Sequence, residues 1–186
     1  FKAMPSQEAV VSDIRGQLDK LTREQAGVLD SLEGTERIIV DGGAGTGKTL
    51  LAVQAARDLA REGKRVLFVC YNKLLASRLN DQIDTDDELG GELIVRCLHH
   101  HYEELIGSSS FAAAFHEQFD PDEPDKAKRN HMYRVLFPEY AFYAASELED
   151  ATFDAIVIDE AQDILTTANL DALDVMLRGG LESGRW

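Results

Sequence analysis

The chain has 186 residues, of which 44% are hydrophobic, and its 19 lysines and arginines against 34 acidic residues give a formal net charge of −15. This length suits one well-packed domain, and no apolar run approaches the ~20 residues that a membrane-spanning helix needs. The acidic balance argues against broad electrostatic capture of nucleic acid, so any such contact must be local. Two cysteines at the ends of apolar runs, Cys70 and Cys97, indicate reduced core thiols. We therefore expect a soluble, cytoplasmic protein with no membrane partner.

Four short apolar runs recur along the chain with helical segments between them. They are RIIV (37–40), RVLFVC (65–70), LIVRC (93–97) and AIVI (155–158). Continuous apolar runs suit a parallel sheet covered by helices on both faces, because its strands have no solvent face. Apolar residues at helical spacing predict helices over 49–63 and 73–83. The expected fold class is α/β, with a parallel sheet flanked by helices.

Between residues 98 and 150 the pattern changes to helical pieces around a Pro- and Asp-rich loop, which predicts a helical insertion. Pro138 predicts a break, with the longer helix starting just after it. The basic run KAKR (126–129) is most simply a solvated patch, and contact with a nucleic-acid backbone is the alternative.

The sequence GGAGTGKT (42–49) directly follows the first predicted strand and opens the first predicted helix. This is the Walker A pattern, or phosphate loop (P-loop), in the strand, loop and helix context that gives it meaning. Glycines let successive N–H groups point at an anion, and the helix N-terminus adds partial positive charge. Lys48 would reach the β and γ phosphates, and the Thr49 hydroxyl would ligate Mg²⁺. The expected nucleotide-binding residues are Gly42, Gly43, Ala44, Gly45, Thr46, Gly47, Lys48 and Thr49.

The run AIVIDEAQD (155–163) supplies the acidic partner that a phosphate-bound Mg²⁺ requires, in the manner of a Walker B strand. Asp159 is the candidate metal ligand, directly or through a water molecule. Glu160, pointing the other way, is the candidate general base that orients the attacking water. The alternative is a buried strand with an acidic turn, which the phosphate loop makes less attractive.

In this order LTREQ (21–25), GGAGTGKT and IVIDEAQD resemble the adenine-reading motif, the phosphate loop and the D-E-x-Q-D motif of superfamily 1 helicases of the UvrD/Rep type. The resemblance implies a RecA-like P-loop NTPase fold, with ATP and Mg²⁺ as cofactors. It implies that Gln25 binds the adenine edge, and that Gln162 belongs to the nucleotide site and, with Asp163, couples it to a second domain. It divides the chain into a lead-in segment (1–20) and a partial RecA-like domain (21–186).

The resemblance also implies contacts with nucleic acid, with single-stranded DNA favoured over RNA. Asn72 and Lys73 match an Asn-Lys pair that the family places near single-stranded DNA, while Tyr71 stands where the family usually has Thr. His99 matches the family's T-x-H, where Cys97 departs from it. Three consecutive histidines (99–101) diverge on any regular element, so we expect no structural metal.

Two parts of the family pattern lie outside the 186 residues. One is a strand ending in G-D-x-x-Q, which the family places between the phosphate-loop strand and the acidic strand. The other is the second RecA-like domain, whose arginines reach the γ-phosphate. We therefore expect an incomplete sheet at the C-terminal cut, and low hydrolysis by this chain alone.

The resulting hypothesis is the ATP-binding part of a helicase or helicase-like, nucleic-acid-dependent ATPase that hydrolyses ATP with Mg²⁺ to drive translocation or unwinding. One alternative is a nucleotide-dependent regulatory switch attached to an effector such as a nuclease. A small-molecule kinase is a second alternative, which the acidic charge and D-E-A-Q-D support poorly.

Overall fold

A computed structural model of the chain describes residues 27, 34–43, 45–83 and 90–186. The LTREQ motif with Gln25, residue Ala44 of the phosphate loop and the lead-in segment lie outside the described residues. No helix in the described part of the chain combines the length and the apolar character needed to cross a membrane.

Three parallel strands form the sheet, in the order β2-β1-β3. Their bounds are Arg65–Cys70 for β1, Glu92–Cys97 for β2 and Ala155–Ile158 for β3. In the register Phe68 of β1 lies between Val95 of β2 and Val157 of β3. Three of the four predicted strands and the α/β class are therefore confirmed, and the architecture is that of a RecA-like P-loop fold.

Helices surround this sheet in the described residues, including the two predicted at 49–63 and 73–83. Their bounds are Lys48–Arg61 (α1), Lys73–Ile83 (α2), Leu98–Ser108 (α3), Ala112–Gln118 (α4), Lys126–His131 (α5), Phe137–Glu147 (α6), Ala161–Ile164 (α7), Thr167–Met176 (α8) and Gly180–Ser183 (α9). A π-helical turn, Met132–Leu136, joins α5 to α6, and a 3-10 turn, Glu149–Ala151, precedes β3.

The central strand β1 contributes to two hydrophobic cores, one on each face of the sheet. Val66 and Phe68 pack in the core beneath α1 and α2, whereas Leu67 and Val69 pack in the core formed with α3, α6 and α8. Successive side chains of a strand point to opposite faces, and here both faces are covered. This double burial explains why RVLFVC is apolar at nearly every position.

The insertion between residues 98 and 150 is helical, as predicted, but Pro138 does not interrupt its helix in the way that the sequence predicted. Its helix begins one residue earlier, at Phe137, with Pro138 in the first turn. The N–H of Phe137 donates to Met132 O, five residues back, in the pattern of a π-helix. Proline is tolerated in a first turn because its missing donor would be unused there, and the wider turn before it avoids a clash with the preceding carbonyls.

The prediction of a strand at 37–40 is wrong for the described structure. Ile38 N donates to Trp186 O (2.9 Å) and Trp186 N donates to Glu36 O (2.8 Å), while Arg185 forms a parallel bridge with Ala155 of β3. Residues 185–186 therefore lie between β3 and the segment 36–38. Beyond this short neighbour the segment pairs with no strand of the described residues, and Ile39 remains 83% exposed. The described sheet is thus incomplete at this position, as predicted.

Candidate nucleotide site

The candidate site lies at the carboxyl ends of the parallel strands, where the phosphate loop meets the end of β3. Asp159 follows β3 directly, and its backbone N–H donates to Val69 O of β1 at 2.9 Å. This hydrogen bond continues the β1–β3 pairing by one residue and fixes the position of the Asp159 backbone. The Asp159 residue is only 6% exposed. Ligands of open α/β sheets bind at this edge.

Two glycines give the phosphate loop a conformation that other residues would resist. Gly45 has φ +77° and Gly47, the N-cap of α1, has φ +86°. Both values lie in the left-handed region, where a Cβ atom is strained. Thr46 Oγ1 donates to Gly43 O (2.9 Å), which braces the loop from within. The glycine spacing that identified the motif is therefore required by the backbone at these two positions.

The Lys48 side chain folds back over the loop. Its Nζ donates to Gly42 O at 2.6 Å and to Gly43 O at 2.9 Å. An ammonium group has three donors, so this arrangement leaves one for an anion. A phosphate group in the loop would lie within reach of this positive charge.

Thr49 and Asp159, predicted separately as metal ligands, are in direct contact. Thr49 Oγ1 donates to Asp159 Oδ2 at 2.9 Å, across 110 residues of sequence. Burial, the largest cause, raises the pKa of Asp159, and the charge of Glu160 adds to this, while the Thr49 hydrogen bond and Lys48 oppose it. A cation placed between the two oxygens would relieve the unfavourable charge, and oxygen donors of this kind suit Mg²⁺.

Glu160 differs from Asp159 in exposure and in backbone conformation. Its side chain faces solvent, and its φ of 54° is the only positive φ of a non-glycine residue in the described parts of the chain. Gln162 Nε2 donates to Glu160 Oε2 at 2.5 Å, and Asp163 N donates to Glu160 O at 2.9 Å. Unfavourable backbone conformations of this kind concentrate at functional sites. The two neighbours hold Glu160 in a defined position at the mouth of the site.

The three residues predicted to contact nucleic acid have different environments. Asn72 Oδ1 accepts from Leu74 N (2.9 Å) and so caps α2, which commits its side-chain oxygen. Lys73 is exposed at the start of the same helix. His99 packs between the rings of Phe137 (5.7 Å) and Tyr133 (5.5 Å), and burial lowers its pKa. Of the three, Lys73 presents an exposed cationic group, whereas the Asn72 oxygen and the His99 ring are engaged within the protein.

A buried hydrogen-bond chain that the sequence did not predict supports the acidic segment, which we define as AIVIDEAQD (155–163). Tyr102 Oη of α3 donates to Asn169 Oδ1 of α8 (3.1 Å), and Asn169 Nδ2 donates to Ile164 O at 2.6 Å. Ile164 ends the short helix α7 that follows Glu160. Tyr102 and Asn169 are 67 residues apart, and neither belongs to a motif, so only the packing of α3 on α8 reveals the connection.

The fold and the site together define a RecA-like P-loop domain. The family model described as "Type III restriction enzyme, res subunit" matches residues 1–167, which include both the phosphate loop and the acidic segment. The chain belongs to this family, whose members are helicase-like ATPase domains that bind ATP. Searches among curated proteins and among solved structures found no match to the chain. The expectation of a helicase-like ATP-binding domain is confirmed at this level.

Proposed function

We propose that the chain is the ATP-hydrolysing part of a nucleic-acid-dependent motor of the superfamily 1 helicase type. The observation that carries the proposal is the 2.9 Å contact between Thr49 and Asp159, which joins the phosphate loop to the acidic strand. A phosphate loop alone is compatible with many nucleotide-binding proteins. A hydroxyl and a carboxylate side by side at its end provide the two protein ligands expected for Mg²⁺ on ATP.

Each side chain then has a role that follows from its place. Lys48 neutralises the β and γ phosphates, and Thr49 and Asp159 hold Mg²⁺. Glu160, exposed beside the buried Asp159, orients the attacking water as general base. The proposal keeps Gln25 as the adenine contact.

The finer assignment to superfamily 1 rests on Gln162 and Asp163. Both touch Glu160, through the side chain in one case and the backbone in the other. A γ-phosphate that reorganised Glu160 would therefore move Gln162 as well. In a motor this movement is transmitted to a second RecA-like domain and to single-stranded nucleic acid. Lys73 and His99, the proposed contacts of that strand, lie at the same edge of the sheet as the nucleotide site.

Glu160→Gln tests this assignment by separating binding from chemistry. Loss of a general base lowers a rate by roughly 10²- to 10⁴-fold. We expect ATP binding, measured by titration with a fluorescent analogue, to stay near the original affinity, while hydrolysis falls at least about 100-fold. Glu117→Gln, a change at an exposed glutamate of α4, is the matched control. Equal hydrolysis by the two variants would refute the role of Glu160.

Stimulation by nucleic acid, measured in the full-length protein, tests the motor itself. ATP hydrolysis is measured with and without oligo(dT), oligo(rU) and a blunt duplex. A motor predicts strong stimulation by a single strand, with DNA above RNA. Hydrolysis that is rapid and indifferent to every nucleic acid would refute the motor and favour the regulatory switch.

A further inference from the structure

The helical insertion carries a run of cations that is not interleaved with acids. Between Lys126 and Pro138 the sequence contains Lys126, Lys128, Arg129, His131 and Arg134 and no acidic residue. The other comparable run, at 57–65, includes Asp58 and Glu62. In a chain with a net charge of −15, five basic residues within nine positions and no acid among them are a local concentration of positive charge that suits an anionic partner.

The packing of the insertion shows which of these side chains face outward. Arg129 turns inward, where its Nη1 donates to Glu123 O at 2.7 Å, and Tyr133 packs on His99. The remaining cations are exposed along α5 and the π-helical turn. We define the basic face as Lys126, Lys128, His131 and Arg134.

Lys126, Lys128 and Arg134 form no ion pair within 4.0 Å with the described residues. By contrast Arg65 pairs with Glu92 and Arg96 with Glu104. Asp125 is the nearest acid in sequence, but its Oδ1 caps α5 by accepting from Ala127 N (2.8 Å) and Lys128 N (3.0 Å). The ammonium and guanidinium groups of the basic face therefore remain available to an anion.

The basic face lies next to the carboxyl ends of the strands, the edge of the sheet that holds the candidate nucleotide site. Tyr133, on the inner side of the π-helical turn, contacts His99, which stands two residues after the end of β2. Lys73, at the start of α2, is close enough for its charge to lower the pKa of His99. Cations thus extend from Lys73 past His99 to the insertion.

We propose that the basic face binds the phosphate backbone of the single-stranded nucleic acid on which the motor acts. The inference rests on the proposed function and extends it to a surface that the motif resemblance does not include. Arg134 lies eight positions after Lys126, which corresponds to a rise of about 12 Å along a helix. Cations spread over this length suit a chain of phosphates better than a single anionic group. Contacts of this kind add affinity without reading sequence.

The test compares two triple variants with the same change in charge. Lys126→Gln, Lys128→Gln and Arg134→Gln together remove the basic face. Arg61→Gln, Lys64→Gln and Arg178→Gln together remove three cations near the amino end of the strands, on the opposite side of the sheet. Binding to fluorescein-labelled oligonucleotides of several sequences is measured by anisotropy over a range of salt concentrations, and circular dichroism checks the fold of each variant.

Each phosphate contact with a single strand contributes about 0.7 to the slope of log affinity against log salt concentration. Loss of three contacts should therefore reduce the slope by about 2, equally for all sequences, while the control variant keeps the original slope. Equal slopes in the two variants would overturn the inference. So would a protein that binds ATP but no oligonucleotide, or a basic face that prefers polyglutamate to the oligonucleotide.

The same samples separate failure of the inference from failure of the proposed function. If the single strand stimulates ATP hydrolysis equally in both variants and their oligonucleotide affinities agree, the motor stands and the basic face is excluded. If no single strand stimulates ATP hydrolysis by the full-length protein, the motor proposal itself fails.

Discussion

Acidification should destabilise this protein through one buried histidine, His101. The residue is only 5% exposed, its ring packs at an angle on Phe153 (5.7 Å between centroids), and its Nε2 has no hydrogen-bond partner among the described residues. Burial, the largest cause, lowers the pKa of His101 to about 4, against the opposing effect of Glu104. The charges of Arg96, Arg65 and His100 act in the same direction as burial.

The sign and size of the effect follow from this shift. In the unfolded chain the histidine has a pKa near 6.5, so between pH 6.5 and 4 the unfolded state binds more protons than the folded state. The free energy of unfolding therefore falls as the pH falls through this window. The full shift corresponds to about 3 kcal/mol, of which about 1 kcal/mol is lost between pH 7 and pH 5.5.

Urea unfolding at pH 7.0, 6.5, 6.0 and 5.5 measures this loss, with the single tryptophan, Trp186, as the fluorescent probe. His101→Leu removes the titrating group and the orphaned nitrogen while keeping an apolar side chain. The difference between the original protein and the variant cancels the titration of every other group. His100→Leu, a change at the exposed neighbour, controls for the loss of a histidine as such.

We expect the stability advantage of the leucine variant to grow by about 1 kcal/mol as the pH falls from 7 to 5.5. The change in the free energy of unfolding with pH should differ between the His100→Leu control and His101→Leu over this range. A difference between the original protein and His101→Leu that stays constant to within about 0.3 kcal/mol would refute the burial argument, since the buried ring would then not oppose its own protonation.

Three further predictions concern the candidate site and its supports. Lys48→Ala should weaken ATP binding by about 10- to 150-fold in a titration, because charged hydrogen bonds contribute about 1.5–3 kcal/mol. Lys64→Ala is the control and should leave the affinity unchanged. Equal affinities in the two variants would exclude Lys48 from the phosphate site. Gly45→Ala should lower the free energy of unfolding in urea by about 1–2 kcal/mol, because Gly45 has φ +77° and alanine is strained there. Gly107→Ala, in a helix with open space around the residue, should not destabilise the protein. The reverse order of stabilities would refute the argument. Asn72→Ala should lose about 1 kcal/mol with its cap of α2, and unchanged stability would show that the cap contributes nothing.

The strands and the first two helices could be predicted because burial on both faces leaves its pattern in the local sequence. RVLFVC is apolar at every position after Arg65, AIVI is apolar throughout, and each is a strand of the sheet. RIIV has the same local pattern but is not a strand, because pairing depends on a neighbour that is not local. Residues 185–186 provide that neighbour only as far as Ile38.

The candidate site divides in the same way. The phosphate loop and the acidic segment are recognisable because phosphate and metal chemistry restrict residue types at fixed spacing. Those motifs predicted Thr49 and Asp159 as ligands of Mg²⁺, whereas the hydrogen bond between them is a finding of the structure. The motifs did not predict that Asn72 caps a helix or that His99 packs on aromatic rings, because both depend on neighbours that no motif specifies.

By itself, the sequence determined the α/β class, the order of the strands along the chain and the residues that face a bound nucleotide in the proposal, since each follows from local apolar pattern or from chemistry at fixed spacing. Only the tertiary structure decided that RIIV pairs with described residues no further than Ile38, and that a buried hydrogen-bond chain from Tyr102 through Asn169 supports the acidic segment. It alone also showed that the basic face is exposed beside the contact of Tyr133 with His99. These three features arise between residues far apart in sequence, and packing alone brings such residues together.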